Sequence, residues 1–288
     1  MGKANKLNKM KSRQPLVSII TPVFNGSKYL EELIVSVLDQ DYRAIEHIII
    51  DDGSNDNGAT VEILKRYPHL RWWSRPNRGA YATINEGLAA STGEVVTVIC
   101  ADDKYAAKTA ISAAVEPFLA GHRCDAVHGE TIWIGEDGRI VDIEGPRGGP
   151  LWMFRYHPVI QHCSLLVRRD KIVDAGLWFD ESFPYAADFD WIMRMILAGY
   201  HFRRLRRPVA MFRMHHMQRS KDVSEARVEE FQRLRQRYGK GNRFIRFMIL
   251  QWVTLTKLKN LLFRRGVLAG VQEIRSRARS WPRGFNLH

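Results

Sequence analysis

Short apolar runs alternate with amphipathic segments along the first hundred residues of the chain. Four runs rich in β-branched residues predict buried strands at Leu16–Thr21, Ile45–Ile50, Leu70–Ser74 and Val95–Cys100. Between them, apolar residues recur at helical spacing and predict helices at Ser27–Gln40, Gly58–Tyr67 and Ala80–Ala90. Because strands and helices alternate, we expect an α/β fold with a mostly parallel central sheet and flanking helices.

The pattern is less regular over the next hundred residues. A helix is predicted at Ile111–Ala120, and a hairpin follows at Ala126–Ile134 and Arg139–Ile143. The glycine-rich stretch 145–150 is interpreted as a loop or a lid. After it, the pattern predicts a strand, a helix and a final strand, at Ser164–Val167, Asp188–Ala198 and Val209–Met214.

The positive charge is concentrated at the two ends of the chain. The formal net charge is +13, yet residues 1–15 hold five Lys/Arg and no acid, and residues 221–288 hold sixteen Lys/Arg against five acids. Nucleic-acid-binding domains carry positive charge on the folded body, so the distribution argues against a nucleic-acid partner. We predict a basic tail at 1–15, a folded body at 16–220 with halves 16–105 and 106–220, and a basic helical extension at 221–288.

The cysteines and the N-terminus indicate the cellular compartment in which we expect the protein. Cys100, Cys124 and Cys163 have neither paired nor metal-ligand spacing, which is typical of a reducing environment. No apolar stretch follows the basic N-terminus, so it does not resemble a secretory signal. We therefore expect a cytoplasmic protein.

Acidic residues follow two of the predicted strands. Asp51 and Asp52 come after the second strand, and Asp102 and Asp103 come after the fourth. In open parallel sheets ligands bind beyond these strand ends, and converging carboxylates favour a divalent cation, Mg²⁺ or Mn²⁺, shared with the phosphates of a nucleoside diphosphate. Ordinary turn chemistry is the alternative for each pair taken singly.

Several motifs together carry a resemblance to a known family. They are Thr21–Asn25, Asp51–Ser54, Asn77–Gly79 with Asn85 and Gly87, Asp102–Asp103, and Ala187–Trp191. With these motifs, residues 16–215 resemble a family 2 glycosyltransferase, an inverting family of the Rossmann-like GT-A fold. The resemblance implies transfer of a sugar from a nucleotide-sugar donor of UDP or dTDP type.

Motif by motif, the resemblance also implies roles for individual residues. Pro22 and Phe24 would border the nucleobase, and Asp52 would hold its polar edge. Asp102 would bind the ribose, and Asp103 would bind the divalent cation.

The catalytic base that the resemblance implies is Asp188, which would take the proton from the acceptor hydroxyl. Asp190 is the rival, but two residues along a helix correspond to about 200° of rotation, so only one of the two can face the cleft. A helix-start carboxylate favoured by the helix dipole is the alternative for either residue.

Three further residues are candidate contacts. Arg78 would assist the diphosphate, or is a solvated loop arginine. His162 would contact the acceptor or the donor sugar, or is a buried histidine that bonds to the backbone. His215 would contact the cation or the diphosphate, but adjacent histidines in a strand face opposite ways, so at most one of His215 and His216 can do so.

Two departures from the family pattern modify these expectations. Ala101 stands where the fuller acidic motif has another acid, which weakens the case for a metal. The Gln-x-x-Arg-Trp motif of processive members is absent after the base helix, where Arg203–Arg207 stands instead, so a single-addition enzyme is favoured.

The basic extension contains an amphipathic segment at 244–263. Its longest uncharged run, Phe247–Thr256, is too short for a bilayer, which needs about 20 apolar residues. The flanking cations suit an interfacial helix on an anionic membrane, and packing on the catalytic domain or in a homodimer is the alternative.

The sequence thus predicts an inverting glycosyltransferase that adds one sugar to a glycan or lipid-linked acceptor in cell-surface polysaccharide synthesis. Such a protein would lie in the cytoplasm or peripherally on the inner membrane face. The alternative is a catalytically inactive protein of the same fold that binds membrane or nucleic acid through its basic ends.

Overall fold

The computed structural model describes residues 14–120, 123–144, 154, 160–216, 218, 224–238, 251 and 255. Outside these residues lie the loop 145–150, the predicted tail except for its last two residues, and the segment 244–263 except for two residues.

The first half alternates strands and helices as the apolar pattern predicts. The strands are β1 (Val17–Val23), β2 (Ile45–Asp51), β3 (Arg71–Ser74) and β4 (Val95–Val98). The helices between them are α1 (Leu30–Leu38), α2 (Ala59–Lys65) and α3 (Ala80–Ala90). α1 begins three residues after Ser27, and no side chain caps its first turn.

The second half adds shorter and more varied elements. In chain order they are β5 (Lys104–Tyr105), α4 (Ala110–Leu119), the hairpin β6 (Ala126–Ile134) and β7 (Ile140–Glu144), a 3-10 turn at His162–Ser164, β8 (Leu165–Arg168), a π-helical turn at Asp170–Asp174, α5 (Ala187–Leu197), β9 (Phe202–Arg213) and α6 (Glu225–Tyr238).

The described strands form one sheet in the order β3-β2-β1-β4-β8-β6-β9-β5, with β7 paired to β6. β1 runs parallel to β2 and β4, and β2 runs parallel to β3. β8 is antiparallel to β4 and β6, while β6 and β9 are parallel. The GT-A-like α/β architecture with a mostly parallel central sheet is therefore confirmed.

Helices cover both faces of the sheet because successive strand residues point to opposite sides. Ile20 packs in the cluster that contains Leu88 of α3 and Trp191 of α5. Ile19 packs in the opposite cluster, which contains Leu33 of α1 and residues of α4. A Cβ at Gly87 would lie 2.5 Å from the Ile20 side chain, so the glycine lets α3 approach β1 closely.

The last strand differs from the prediction. β9 begins at Phe202, seven residues before the predicted start at Val209, and so includes the basic stretch Arg203–Arg207. Those four arginines are exposed, and this part of β9 pairs with β6 while β5 pairs only with its later residues. Because the exposed arginines interrupt the apolar alternation, the strand signal is weak there.

The chain divides into two compact units after Gly239. α6 lies in the first unit, although it follows the predicted boundary at residue 220. The domain division of the sequence stays a prediction.

Candidate active site

Two loops at the carboxyl edge of the sheet are joined by hydrogen bonds. The backbone N–H of Asn25 donates to Ser54 Oγ (2.8 Å). The side-chain Nδ2 of Asn25 donates to Asn55 Oδ1 (2.7 Å), and the backbone N–H of Asn55 donates to Asn25 Oδ1 (2.8 Å). Gly53 has φ +76°, and a Cβ there would lie 2.8 Å from the backbone nitrogen of Asn77. The Asp-Asp-Gly-Ser turn therefore requires glycine at this position, and it is fixed beside the end of β1.

The two residues predicted to border the nucleobase differ in exposure. Pro22 is buried within β1, in register with Ile50 of β2. Phe24, one residue beyond β1, is 49% exposed. An aromatic side chain this open at the sheet edge is available for a ligand, and both roles stay predictions.

Asp52 is buried and bonded to three donors within the protein. Its carboxylate accepts hydrogen bonds from Arg75 Nη1 (2.5 Å) and from the backbone N–H groups of Arg78 (2.8 Å) and Gly79 (3.0 Å). These backbone groups lie at the start of α3, where a carboxylate is favoured. The Arg78 side chain is 60% exposed. Sequence reasoning missed Arg75, whose guanidinium forms ion pairs with both Asp52 and Glu86.

The four carboxylates predicted at the sheet edge do not form one cluster. Asp51 accepts hydrogen bonds from the Ser54 N–H and the Ser74 hydroxyl, and it is buried. In the described part of the chain, the cluster with metal-ligand spacing contains Cys100, Asp102 and Asp103. Hydrogen bonds within the fold occupy the first pair, and a single cation shared by all four acids stays a prediction.

Asp102 and Asp103 have different environments although they are adjacent. Asp102 Oδ2 lies 2.8 Å from His215 Nε2, and its side chain is 28% exposed. Asp103 is 1% exposed, and its Oδ1 accepts a hydrogen bond from the Arg213 N–H at 3.0 Å. Burial and the nearby charge of Asp102 raise the pKa of Asp103 well above its usual range. Asp102 is thus the accessible carboxylate of the pair.

This corner has the donor set of a cation site. The ligand atoms of Cys100, Asp102 and Asp103 lie within 4.8 Å of one another. Asp103 Oδ2 is buried and accepts no hydrogen bond from the described residues. An orphaned buried carboxylate oxygen is costly unless a cation or proton satisfies it, so the residues fit a small oxygen-seeking cation. Burial raises the pKa of the Cys100 thiol well above its usual range, which keeps it protonated.

Arg213 fixes this corner from the end of β9. Its side chain is 1% exposed, and Nε donates to the backbone oxygen of Asp102 at 2.9 Å. Nη2 donates to Glu32 at 2.8 Å, and the guanidinium lies 4.3 Å from the centroid of the Tyr29 ring. Sequence reasoning missed Arg213 because its partners are distant in the chain.

The two histidines after β9 separate as expected. His215 contacts Asp102, whereas His216 bonds to Glu136 at 2.8 Å and is 72% exposed. Of the two, His215 is the one beside the acidic corner, and its role there stays a prediction.

Asp188 lies in the first turn of α5 and faces polar groups from two other elements. The Tyr81 hydroxyl donates to its Oδ1 (3.3 Å), and His162 Nδ1 lies 3.3 Å from its Oδ2. Burial opposes ionisation, but His162, the Phe189 N–H and Tyr81 outweigh it and hold the pKa of Asp188 below its ordinary value. Asp188 is therefore ionised at neutral pH. Sequence reasoning missed Tyr81.

His162 joins Asp188 to the acidic corner. While its Nδ1 faces Asp188, its Nε2 lies 3.6 Å from Cys100 Sγ. The sequence distance between these residues is large, yet the 3-10 turn before β8 places the imidazole between them. One continuous line of polar side chains thus connects the helix start with the end of β4.

Asp190, the rival to Asp188, faces away from this line. It is fully buried and bonds to Arg194 Nε (2.7 Å), Arg237 Nη1 (2.8 Å) and the Tyr238 hydroxyl. The contacts with Arg237 and Tyr238 connect α5 to α6, and the Asp190 carboxylate is closed to solvent.

A family model matches the part of the chain that contains the acidic corner. The model described as "Glycosyl transferase family 2" matches residues 18–168, more than half of the chain. The chain belongs to glycosyl transferase family 2. The resemblance to this family that its motifs carry is therefore confirmed.

Relatives of this family 2 glycosyltransferase occur in several bacteria. An uncharacterized glycosyltransferase of Rickettsia felis is 30% identical over 199 residues, which cover 65% of this chain and 33% of that protein. Glycosyltransferase GlyG of Streptococcus pneumoniae is 34% identical over 91 residues, which cover 31% of this chain and 30% of that one. The chain spans about a third of the length of three Rickettsia relatives that it matches.

Solved structures share the fold of this glycosyltransferase. Staphylococcus aureus TarS 1–349 in complex with UDP-GlcNAc is 21% identical with a TM-score of 0.61, over 76% of this chain and 65% of that one. The mannosyltransferase PcManGT from Pyrobaculum calidifontis, in complex with GDP-Man and Mn²⁺, is 19% identical with a TM-score of 0.54, over 74% and 64%. At these identities the likeness establishes the fold.

In the part of the chain that the structure describes, no helix is both long and apolar enough to span a bilayer.

Proposed function

We propose that this glycosyltransferase moves a single sugar from a nucleotide-sugar donor of UDP or dTDP type to a hydroxyl of a glycan or lipid-linked acceptor, with inversion, in cell-surface polysaccharide synthesis. The observation that carries the proposal is the line from Asp188 through His162 to the corner at Asp102, because it joins an ionised carboxylate to a donor-binding edge. TarS and PcManGT, which share the fold, were solved with UDP-GlcNAc and GDP-Man.

Asp188 is the catalytic base. It accepts the proton of the acceptor hydroxyl while that oxygen attacks the anomeric carbon from the face opposite the nucleotide, so the configuration inverts. A carboxylate with a lowered pKa is a weak base toward an alcohol, so its contribution depends on placement within hydrogen-bond reach. Tyr81 and His162 supply that placement, since each contacts a different oxygen of Asp188.

The nucleotide lies over the ends of β1 and β2. Phe24 provides an exposed ring for the base, and Pro22 fixes the backbone from which Phe24 projects. Asp52 affects the polar edge of the nucleobase indirectly, because its hydrogen bonds to the Arg78 and Gly79 N–H groups hold the start of α3 in place. The exposed Arg78 side chain reaches the diphosphate from the same helix start, where anions are favoured.

Asp102 and His215 would hold a divalent cation, Mn²⁺ or Mg²⁺, at the corner after β4. Support for Asp102 comes from its exposure and its His215 neighbour, whereas the buried Asp103 contributes its unpartnered oxygen or positions the corner through Arg213. A bound cation would offset the negative charge that develops on the departing nucleoside diphosphate. Asp103 as the ligand, the assignment made from the sequence, is the competing prediction.

The remaining parts of the proposal rest on sequence. The absence of the processive motif supports the addition of a single sugar. The basic segment 244–263 supports a cytoplasmic enzyme that is held on an anionic membrane surface. The homodimer is proposed on the same basis.

A screen of nucleotide sugars tests the function. UDP-, dTDP- and GDP-sugars are incubated with the full chain with and without Mn²⁺, and both the melting temperature and the release of nucleoside diphosphate are recorded. At least one donor should raise the melting temperature and be turned over. If none of the donors does either, the chain is an inactive member of its family and the proposal fails.

A further inference from the structure

Helix α6 holds the start of α5, the helix that carries Asp188. α6 follows the boundary at residue 220 that the sequence predicts for the catalytic body, and none of the family motifs lies on it. Its buried side chains nevertheless include Glu230, Leu234 and Tyr238, spaced four residues apart, so one face of the helix packs on the body.

Glu230 bonds to the backbone directly before α5. Its carboxylate is fully buried and accepts hydrogen bonds from the N–H groups of Ala186 (2.6 Å) and Tyr185 (2.9 and 3.1 Å). Ala186 is the residue at the cap of α5, and no side chain of its own segment caps the helix. Glu230 therefore supplies from a distant helix the carboxylate that a capping residue ordinarily supplies locally.

A second contact holds α5 on its opposite side. Arg237 bridges Asp180 and Asp190 at 2.9 and 2.8 Å, and the Tyr238 hydroxyl donates to Asp190. Because α6 contacts both the cap residue Ala186 and Asp190 in the first turn of α5, it restricts translation and rotation of the helix. Either motion would move Asp188, which lies between the two contacts in sequence.

The two carboxylates titrate in a fixed order. Burial and the charge of Asp188 raise the pKa of Glu230, whereas the contacts of Asp188 hold its pKa below the ordinary value. As pH falls, Glu230 is therefore neutral before Asp188 takes up a proton. Glu230 thus acts on Asp188 through its position.

We propose that Glu230 is a positioning residue for glycosyl transfer, which caps α5 from α6 and thereby aims the Asp188 carboxylate at the acceptor hydroxyl. This inference rests on the proposed role of Asp188. It also makes α6 a working part of the catalytic body.

Glu230→Gln, compared with Glu229→Gln, tests the proposal in the full chain. Glu229 is the exposed neighbour on the same helix, so the control removes the same charge without the cap. Glu230→Gln should lower kcat roughly 10- to 100-fold, the cost of a small misplacement of a reacting group, with the KM for the donor changed by less than about twofold. The acid limb of the kcat–pH profile should stay in place, because Glu230 is already neutral at the pH where Asp188 titrates. Glu230→Asp, which keeps a carboxylate on α6, should retain more of kcat than Glu230→Gln.

Hydrogen–deuterium exchange of residues 183–192 provides a readout that does not need turnover. These amides should exchange faster in Glu230→Gln than in Glu229→Gln at a temperature where both are folded. Equal exchange, with kcat unchanged, would overturn the proposal. If the wild-type chain turns over no donor, the proposed function fails, and the exchange data still decide whether Glu230 orders the start of α5.

Discussion

The corner after β4 and the start of α5 each carry two aspartates, and in each region the two acids have opposite environments. Asp102 and Asp188 are partly exposed and face a histidine. Asp103 and Asp190 are buried and contact arginine. Each of these two motifs therefore contains one carboxylate that a ligand can reach and one whose hydrogen bonds stabilise the fold.

The two regions differ in how close their acids lie. At the corner the acids are neighbours in irregular backbone, so the oxygens of both lie within 4.8 Å of the Cys100 thiol and of each other. On α5 they lie two residues apart on a helix and face opposite sides. At the corner both acids thus lie beside one site although only Asp102 is accessible, whereas α5 can present only one carboxylate to a substrate.

At the corner, Asp102→Ala should have the largest effect. Removal of the accessible carboxylate should lower donor affinity in the presence of Mn²⁺ by roughly 10- to 100-fold or more, measured by titration calorimetry. Asp103→Asn is the matched control, since it should lower the melting temperature and keep most of the Mn²⁺ response. The reverse result would make Asp103 the ligand, as the sequence assignment has it.

On α5, the buried acid should matter most for stability. Asp190→Asn weakens charged hydrogen bonds to Arg194 and Arg237, both partly exposed, so we expect a loss of about 1–3 kcal/mol in the free energy of unfolding. Urea unfolding measures it, with Asp188→Asn as the comparison. A larger loss in Asp188→Asn would contradict the division into chemical and structural acids.

The smallest effect should be a shift in pH dependence. Asp188 accepts a proton only when ionised, so the rate falls as pH falls through its lowered pKa. His162→Gln removes a contact that lowers this pKa while burial remains, so the acid limb should move to higher pH. Glu230→Gln should leave the limb in place, because Glu230 is already neutral at that pH. An unchanged limb in His162→Gln would show that the observed limb belongs to another group.

The sequence predicted the parallel half of the sheet because its strands are continuous apolar runs separated by turn residues. It failed at β9, where exposed arginines occupy the first half of the strand, and at β5, which is two residues long. It located both acidic motifs, since the residue types themselves carry the signal.

The sequence could not predict which acid of each motif is buried and which is accessible. Which of Asp102 and Asp103 is buried depends on Arg213, which is 110 positions away from Asp103. The contact that caps α5 comes from Glu230, 44 residues beyond Ala186. Such pairings appear only when the chain is folded, because no local pattern records them.

The central claim is that Asp188, and not Asp190, is the catalytic base of this glycosyltransferase. The most direct test compares the single-turnover transfer rates of Asp188→Asn and Asp190→Asn at saturating donor, at a temperature where both are folded. Asp188→Asn should lose about 10²- to 10⁴-fold in rate with donor binding retained, while Asp190→Asn should remain within several-fold of the wild type. A wild-type rate in Asp188→Asn, or the larger loss in Asp190→Asn, would contradict the claim.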